Sequence, residues 1–159
     1  TGTIGRAKDH LEATARKLDQ YLQEKINGRA LVSVNKALVT QSSAAIPVVP
    51  LYISLLYKEM KKRGIHEDWI QQMYRLFVEK LYADDQIEVD EQHRIRIDDL
   101  EMREDVQQAI QENWEKLSEE NIEELADIEG YRSDFLRLFG FGLEGVDYEA
   151  DVEIEVPID

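Results

Sequence analysis

The sequence predicts an α/β fold, mostly helical, with a core strand near 30–34 and a small hairpin near 86–97. Three observations predict it. Ile4, Ala7, Leu11, Ala15, Leu18 and Leu22 recur near helical spacing. Ala30-Leu31-Val32-Ser33-Val34 is short, β-branched and bounded by Gly28. Gln86-Ile87-Glu88-Val89 and Arg94-Ile95-Arg96-Ile97 alternate polar with apolar on either side of a polar turn. A long helix leading into such a strand is half of a βαβ unit, so a parallel sheet is expected, its other strands outside this chain.

The elements follow in order. Thr3 is the expected N-cap of a helix running to about Ile26, with Asn27-Gly28 closing it. From Ala37 to Tyr57 no residue is charged, although 33% of the chain is. Such a window must be buried in protein, in lipid or against a ligand. Its length is about the ~20 residues that a bilayer core requires. A membrane span is excluded because Pro47 and Pro50 interrupt it and Thr40, Gln41, Ser42 and Ser43 cluster near its start. The window reads instead as a buried strand end, a polar turn, a Pro-bounded loop and an apolar helix. Pro50 suits that helix's first turn, and the helix should reach Arg63 and stop at Gly64. Residues 66–82 form an amphipathic helix opened by His66, with Trp69, Ile70, Met73, Leu76, Phe77 and Leu81 on one side. Further helices are expected near 101–116, 118–127 and 131–139. Gly140, Gly142 and Gly145 belong to a tight turn or cap, and the acidic tail 147–159 to an edge strand or a loose end.

At 159 residues the chain could be one domain or a lobe of a larger one. The lobe is favoured because the chain opens at Thr1 without an initiator Met and its charge is unevenly divided. Residues 1–83 carry 13 Lys and Arg against 8 Asp and Glu; residues 84–159 carry 6 against 26. So negative a surface disfavours nucleic acid and anionic membranes as partners. With no cysteine there is no disulfide framework, thiolate nucleophile or cysteine zinc site. No signal-peptide pattern opens the sequence, and a cytoplasmic protein is expected.

The motif search finds little self-contained chemistry. His10, His66 and His93 are not paired with ligands at helical spacing, so no metal site is expected. No serine sits in a nucleophile elbow, and no glycine-rich phosphate loop follows a strand. Lys8, one to two turns into a helix that opens from Thr1-Gly-Thr-Ile-Gly, reads as a surface lysine able to point back over the helix N-terminus.

Three blocks carry a resemblance. They are Thr1-Gly-Thr-Ile-Gly-Arg-Ala-Lys8, then the run from Ala37 to Lys58, then Tyr131-Arg-Ser-Asp-Phe-Leu-Arg-Leu-Phe-Gly-Phe-Gly-Leu-Glu-Gly-Val-Asp-Tyr-Glu-Ala-Asp151. In that order they strongly resemble the C-terminal part of the trans-2-enoyl-CoA and enoyl-acyl-carrier-protein reductases of the FabV type, over essentially the whole chain. The resemblance implies the C-terminal part of an enlarged short-chain-dehydrogenase-like Rossmann fold that reduces the C2–C3 double bond of an enoyl thioester with NADH. Lys8 matches the lysine of the family's catalytic Tyr–Lys pair. The tyrosine would fall two residues before Thr1, and the dinucleotide loop upstream as well. Lys8 is then both catalytic and cofactor-binding, with Val39 and Thr40 also at the cofactor. Ile46, Pro47, Leu51, Tyr57 and Tyr131 are implied for the acyl pocket, within a substrate-binding segment 37–63.

Residues 1–83 would belong to the catalytic domain, with 84–159 an acidic hairpin and helical region packed on it. Partners are an enoyl-CoA or enoyl-acyl-carrier protein and the missing N-terminal half, in a monomer when intact. By itself the chain is expected to be catalytically silent. The alternative is a helical interaction module using 37–57 as a docking surface.

Overall fold

The computed structural model describes residues 2–83, 86–153 and 155. Helix α1, Thr3–Ile26, starts one residue earlier than an N-cap at Thr3 would allow. Gly2 occupies the cap and no side chain completes it. Asn27 closes the helix in the left-handed region (φ 54°), a conformation that asparagine tolerates. Leu11 and Leu18 stay exposed. The helix is held to the rest by buried Asp19, whose carboxylate accepts from Gln23 Nε2 (2.7 Å), Arg29 Nε (3.0 Å) and the Ala30 amide (2.7 Å).

Strand β1, Val32–Val34, pairs in parallel with β2, Arg94–Arg96, in the register Val32↔Arg94, Ser33↔Ile95, Val34↔Arg96. The parallel sheet is as expected, but β1's partner lies within the chain. The hairpin near 86–97 is corrected: a reversal forms, but 86–89 is not a strand. Asp90 organises the reversal, its amide donating to Arg94 O (2.8 Å) and its carboxylate accepting from the amides of Gln92 and Arg94. Ile87 and Val89 are spent on packing against Leu76, Ile95 and Ile97, while β2 spends its pairing on β1.

Helix α2, Gln41–Ala44, is one short turn. Between it and α3, Val48 adopts φ 75°, a strained conformation for a β-branched residue. Helix α3, Val49–Lys62, has Pro50 in its first turn and is the centre of the core. Ile53, Leu55, Leu56, Tyr57 and Met60 are buried, and the helix packs against α5 and α7. It ends where Ile65 N bonds to Met60 O (3.0 Å) around Gly64 at φ 67°, a geometry suited to glycine.

The helix expected over 66–82 begins later and changes pitch. Asp68 and Gln71 form a reciprocal cap, so α4 is Trp69–Arg75, and His66 lies outside it. Leu76–Leu81 continues as a π-helix. Met73, Leu76 and Leu81 pack inward, whereas Trp69, Ile70 and Phe77 are exposed.

Helix α5 is Glu104–Lys116 rather than 101–116, because Glu101 is drawn off to the Ala37 amide (2.6 Å) and the Tyr52 hydroxyl (2.6 Å). Helix α6 covers only Ile122–Leu125, since Asn121 ties Ser118 N and Lys116 O into a turn. Helix α7, Ile128–Arg137, starts early because Asp127 accepts from the Gly130 amide (3.0 Å). Residues 147–153 form no strand; the rest of the expected tail element lies largely outside the described residues. Among the described residues no helix is long and apolar enough to cross a membrane.

Candidate functional site

In open parallel sheets ligands collect beyond the carboxyl ends of the strands, and residues 35–40 leave the carboxyl end of β1. Their backbone is pinned by side chains from distant elements: the Lys36 amide donates to Gln72 Oε1 (3.2 Å) and the Ala37 amide to Glu101 Oε2. Thr40 then caps α2. Its Oγ1 accepts from the Ser43 amide (3.0 Å), and Ser43 Oγ accepts from the Thr40 amide (2.8 Å). Ser43 Oγ also lies 3.0 Å from Leu38 O, so the polar turn is internally satisfied.

Against this turn lies a cavity of about 370 Å³. Val39 and Tyr57, both buried, form its floor. Asp68, Trp69 and Ile70 make one wall; Asp134 and Arg137 of α7, with Leu138 just after it, make another, and Leu143 joins from the glycine-rich turn. The cavity can shield an apolar or planar group from water, with two carboxylates, Asp68 and Asp134, and the Arg137 guanidinium to orient it. A wider groove of about 800 Å³ runs along α5 past Val48, Tyr52 and Trp114, but it lies away from the β1 end and carries Glu104 and Glu115.

The polar groups behind the floor are unusual. Lys36 is 3% exposed, and its Nζ has one long hydrogen bond, to Ala37 O (3.4 Å). It stands 5.0 Å from the centre of the Tyr57 ring, and Lys61 Nζ stands 5.5 Å from the same centre. His66 meets that ring edge-on at 4.4 Å. Burial lowers Lys36 to about 8, partly offset by the Glu101 carboxylate. Burial, then the ammonium groups of Lys36 and Lys61, lower His66 to about 4, so it is neutral near pH 7. Burial pushes the Tyr57 phenol well above its ordinary value, and the facing Asp134 carboxylate adds to this. His66 Nδ1, Gln72 Nε2 and the Tyr131 hydroxyl are buried without a hydrogen-bond partner among the described residues.

Of the residues expected at a site, only Val39 and Tyr57 line this cavity. Tyr131 packs behind them against the same cluster. Thr40 sits beside the cavity as the exposed cap of α2. Ile46 and Pro47 are exposed and Leu51 is half-buried, none of them on the cavity wall. Lys8 is exposed on α1, and the described residues do not bring it to the cavity. Asp134 and Arg137 were missed: spaced i, i+3 inside an acidic region, they look like ordinary surface charge. Lys36 had a readable signal, as the lone charge directly before an uncharged run.

The comparisons with known proteins agree on one family. The family model for the trans-2-enoyl-CoA reductase catalytic region matches residues 1–82, and that for an enoyl reductase FAD binding domain matches 89–152. An enoyl-[acyl-carrier-protein] reductase [NADH] of Coxiella burnetii is 64% identical over 157 residues, which are 99% of this chain and 39% of the relative. A trans-2-enoyl-CoA reductase [NADH] of Brachyspira hyodysenteriae is 57% identical over 153 residues, 96% of this chain and 39% of its own. The crystal structure of Clostridium acetobutulicum trans-2-enoyl-CoA reductase in complex with NADH superposes with a TM-score of 0.91 at 49% identity, over 96% of this chain and 38% of that one. That of the Treponema denticola trans-2-enoyl-CoA reductase in complex with NAD gives 0.87 at 55%, over 95% and 37%. The chain therefore spans about 39% of the length of the curated relatives it matches. The interaction-module alternative gains no support from them.

The flavin named for residues 89–152 does not fit what stands there. That segment holds 20 Asp and Glu against 6 Lys and Arg, a field that repels a pyrophosphate. Arg94, Arg96 and Arg103 are already paired with Asp90, Asp98 and Asp105. Gly140, Gly142 and Gly145 follow a helix, where no helix N-terminus receives a phosphate.

Proposed function

The match over residues 1–82 makes the chain a member of the trans-2-enoyl-CoA reductase family, and on that premise we propose that it is part of an NADH-dependent reductase of the C2–C3 double bond of enoyl thioesters. The observation that supports this best is local: Leu38 and Val39, just past the carboxyl end of β1, line a cavity that Val39 floors together with Tyr57. The uncharged nicotinamide end of the cofactor is the part this cavity suits, with the Arg137 guanidinium at its wall, since the Asp68 and Asp134 carboxylates would repel the pyrophosphate.

When bound, NADH supplies the hydride. Val39 and Thr40 are the residues proposed to hold it, with Lys8 at its ribose. Addition at C3 moves negative charge onto the thioester oxygen, and stabilising that charge is the main catalytic task. A hydroxyl donor does this more readily with an ammonium nearby, since the positive charge lowers the donor's pKa. Lys8 suits that role as a compact charge with three donors on a long stem. Val39, Tyr57 and the wall of α7 exclude water, while Ile46, Pro47, Leu51 and Tyr131 complete the acyl side in the proposed complex with the remaining length of the protein.

Either an acyl-carrier-protein or a coenzyme A thioester is a fitting substrate, in fatty-acid synthesis or short-chain metabolism, and we take the protein to be cytoplasmic and monomeric. The test is crotonyl-CoA-dependent NADH oxidation by a protein of the relatives' length containing this chain. Lys8→Ala should weaken NADH binding and lower kcat by roughly 10²-fold or more. Unchanged turnover by that variant would remove Lys8 from the mechanism.

A further inference from the structure

Lys36, His66 and Gln72, behind the cavity floor, have no place in that mechanism. Lys36 leaves β1 and is buried at 3% exposure, yet it forms no ion pair among the described residues and has one long hydrogen bond. Burying an ammonium without a paired carboxylate costs stability. The fold nonetheless surrounds it with groups suited to a fixed tyrosine. Lys36 Nζ lies over one side of the Tyr57 ring, His66 meets the ring edge-on, and Tyr131 packs against the same cluster. Gln72, fully buried, accepts from the Lys36 amide and leaves its Nε2 without a partner among the described residues. Every one of these groups meets Tyr57 or Lys36, and Tyr57 is the cavity floor.

We propose that Lys36 is a positioning residue for NADH: its buried ammonium, set against the Tyr57 ring, holds that tyrosine and the backbone of 37–40 in the shape that receives the nicotinamide side of the cofactor. The proposal rests on the reductase reading and deepens it. Two features support a functional rather than a stabilising role. An ammonium near an aromatic face is attracted to the ring's quadrupole, which orients the ring. And a methionine, unbranched and one heavy atom shorter, would fill most of the space without the cost of desolvating a charge. The carboxylates facing Lys36 come from several elements: Glu101 before α5, Glu67 and Asp68 before α4, and Asp134 on α7, with His66 neutral beside them. None lies within ion-pair distance, so the charge stays available to the ring. Because burial lowers Lys36 to about 8, the ammonium should be lost and the arrangement loosen as pH rises through that value.

The experiment uses a protein of the relatives' length and compares wild type with K36M and K36R in three readouts: thermal midpoint, NADH dissociation constant by nicotinamide fluorescence, and KM and kcat for NADH with crotonyl-CoA. K36M should melt at or above the wild-type temperature while its NADH dissociation constant and KM rise roughly tenfold or more, since a shift of about 1 Å in a positioned group can cost on the order of 10²-fold. K36R, which keeps the charge, should lie between the two. NADH affinity of the wild type should fall across pH 7 to 9, and K36M should show no such step. A K36M protein that binds NADH as tightly as wild type overturns the proposal, whatever its melting temperature. So does one that melts lower and loses kcat only in proportion to its folded fraction, with KM unchanged. Should K36M not fold, K36Q carries the same comparison. A wild type that binds NADH but turns over no enoyl thioester sinks the reductase reading, while the binding comparison still decides Lys36. One that turns over crotonyl-CoA with K36M indistinguishable sinks Lys36 alone.

Discussion

Replacing Gly130 by alanine should destabilise the protein through a carboxylate three residues away. Gly130 lies in the first turn of α7, in helical conformation, where alanine is ordinarily favoured by up to about 1 kcal/mol. Here the new methyl would meet Asp127, with Cγ at 2.7 Å and Lys61 Nζ at 2.7 Å. The Asp127 carboxylate is already committed, accepting from the Gly130 amide at 3.0 Å and pairing with Lys61 at 2.6 Å. Losing that cap costs about 1 kcal/mol. Losing a half-exposed ion pair costs at most about 0.5 kcal/mol after solvent screening. Relieving the overcrowded turn costs about 1 kcal/mol more. The net for G130A is a loss of about 1.5 kcal/mol, or a midpoint lower by roughly 3–6 °C. The decisive version is a double-mutant cycle by urea unfolding. In a D127A background the carboxylate is gone and the half-exposed Lys61 side chain that it held is free to swing away, so G130A should change sign and stabilise by about 0.5–1 kcal/mol. Equal destabilisation in both backgrounds would refute the argument.

Two further stability predictions come from the core and the α1 anchor. Leu56→Ala empties a fully buried site between α3 and α5 and should cost about 2–5 kcal/mol in urea unfolding; a cost below 1 kcal/mol would mean that the cluster collapses around the gap. Burial by itself would raise the Asp19 carboxyl, but the Ala30 amide, then Arg29 and His93, hold it at about 2, below the ordinary 3.8. A depressed carboxyl contributes stability that is fully present above about pH 4 and is lost as pH falls through about 2. Asp19→Asn should remove that step from the acid limb of the melting-temperature profile, and an unaltered limb would show that Asp19 does not carry it.

The parts legible in the sequence were those governed by local signals. Pro50 and Gly64 bracket α3 because one suits a first turn and the other a left-handed stop, and neither depends on the rest of the fold. The uncharged window was legible only in part: 49–57 goes into the core or half into it, whereas 40–42 and 45–48 stay exposed on this chain. Pairing was not legible in the same way. Arg94-Ile95-Arg96 alternates identically whether its neighbour is 86–89 beside it or 32–34 across the molecule, and alternation carries no address. The cavity failed to show for a related reason. Its floor comes from 39 and 57, but the walls come from 69–70 and 134–143, joined only by packing. Lys36 illustrates the opposite case, where the composition of the neighbouring segment marks a burial that propensity alone misses.

The long-range pairing of β1 with β2 has a consequence in time. Val32 can acquire its partner only once Arg94 has been made, and α3 needs α5 and α7, which come later still. A growing chain at roughly 5–20 residues per second would therefore hold the greasy 37–57 stretch uncovered for several seconds after it emerges. Closing so wide a loop is also entropically slow relative to forming α1. Newly made chains should accordingly be most vulnerable to chaperone capture or proteolytic trimming in that interval, before the acidic half arrives to cover them.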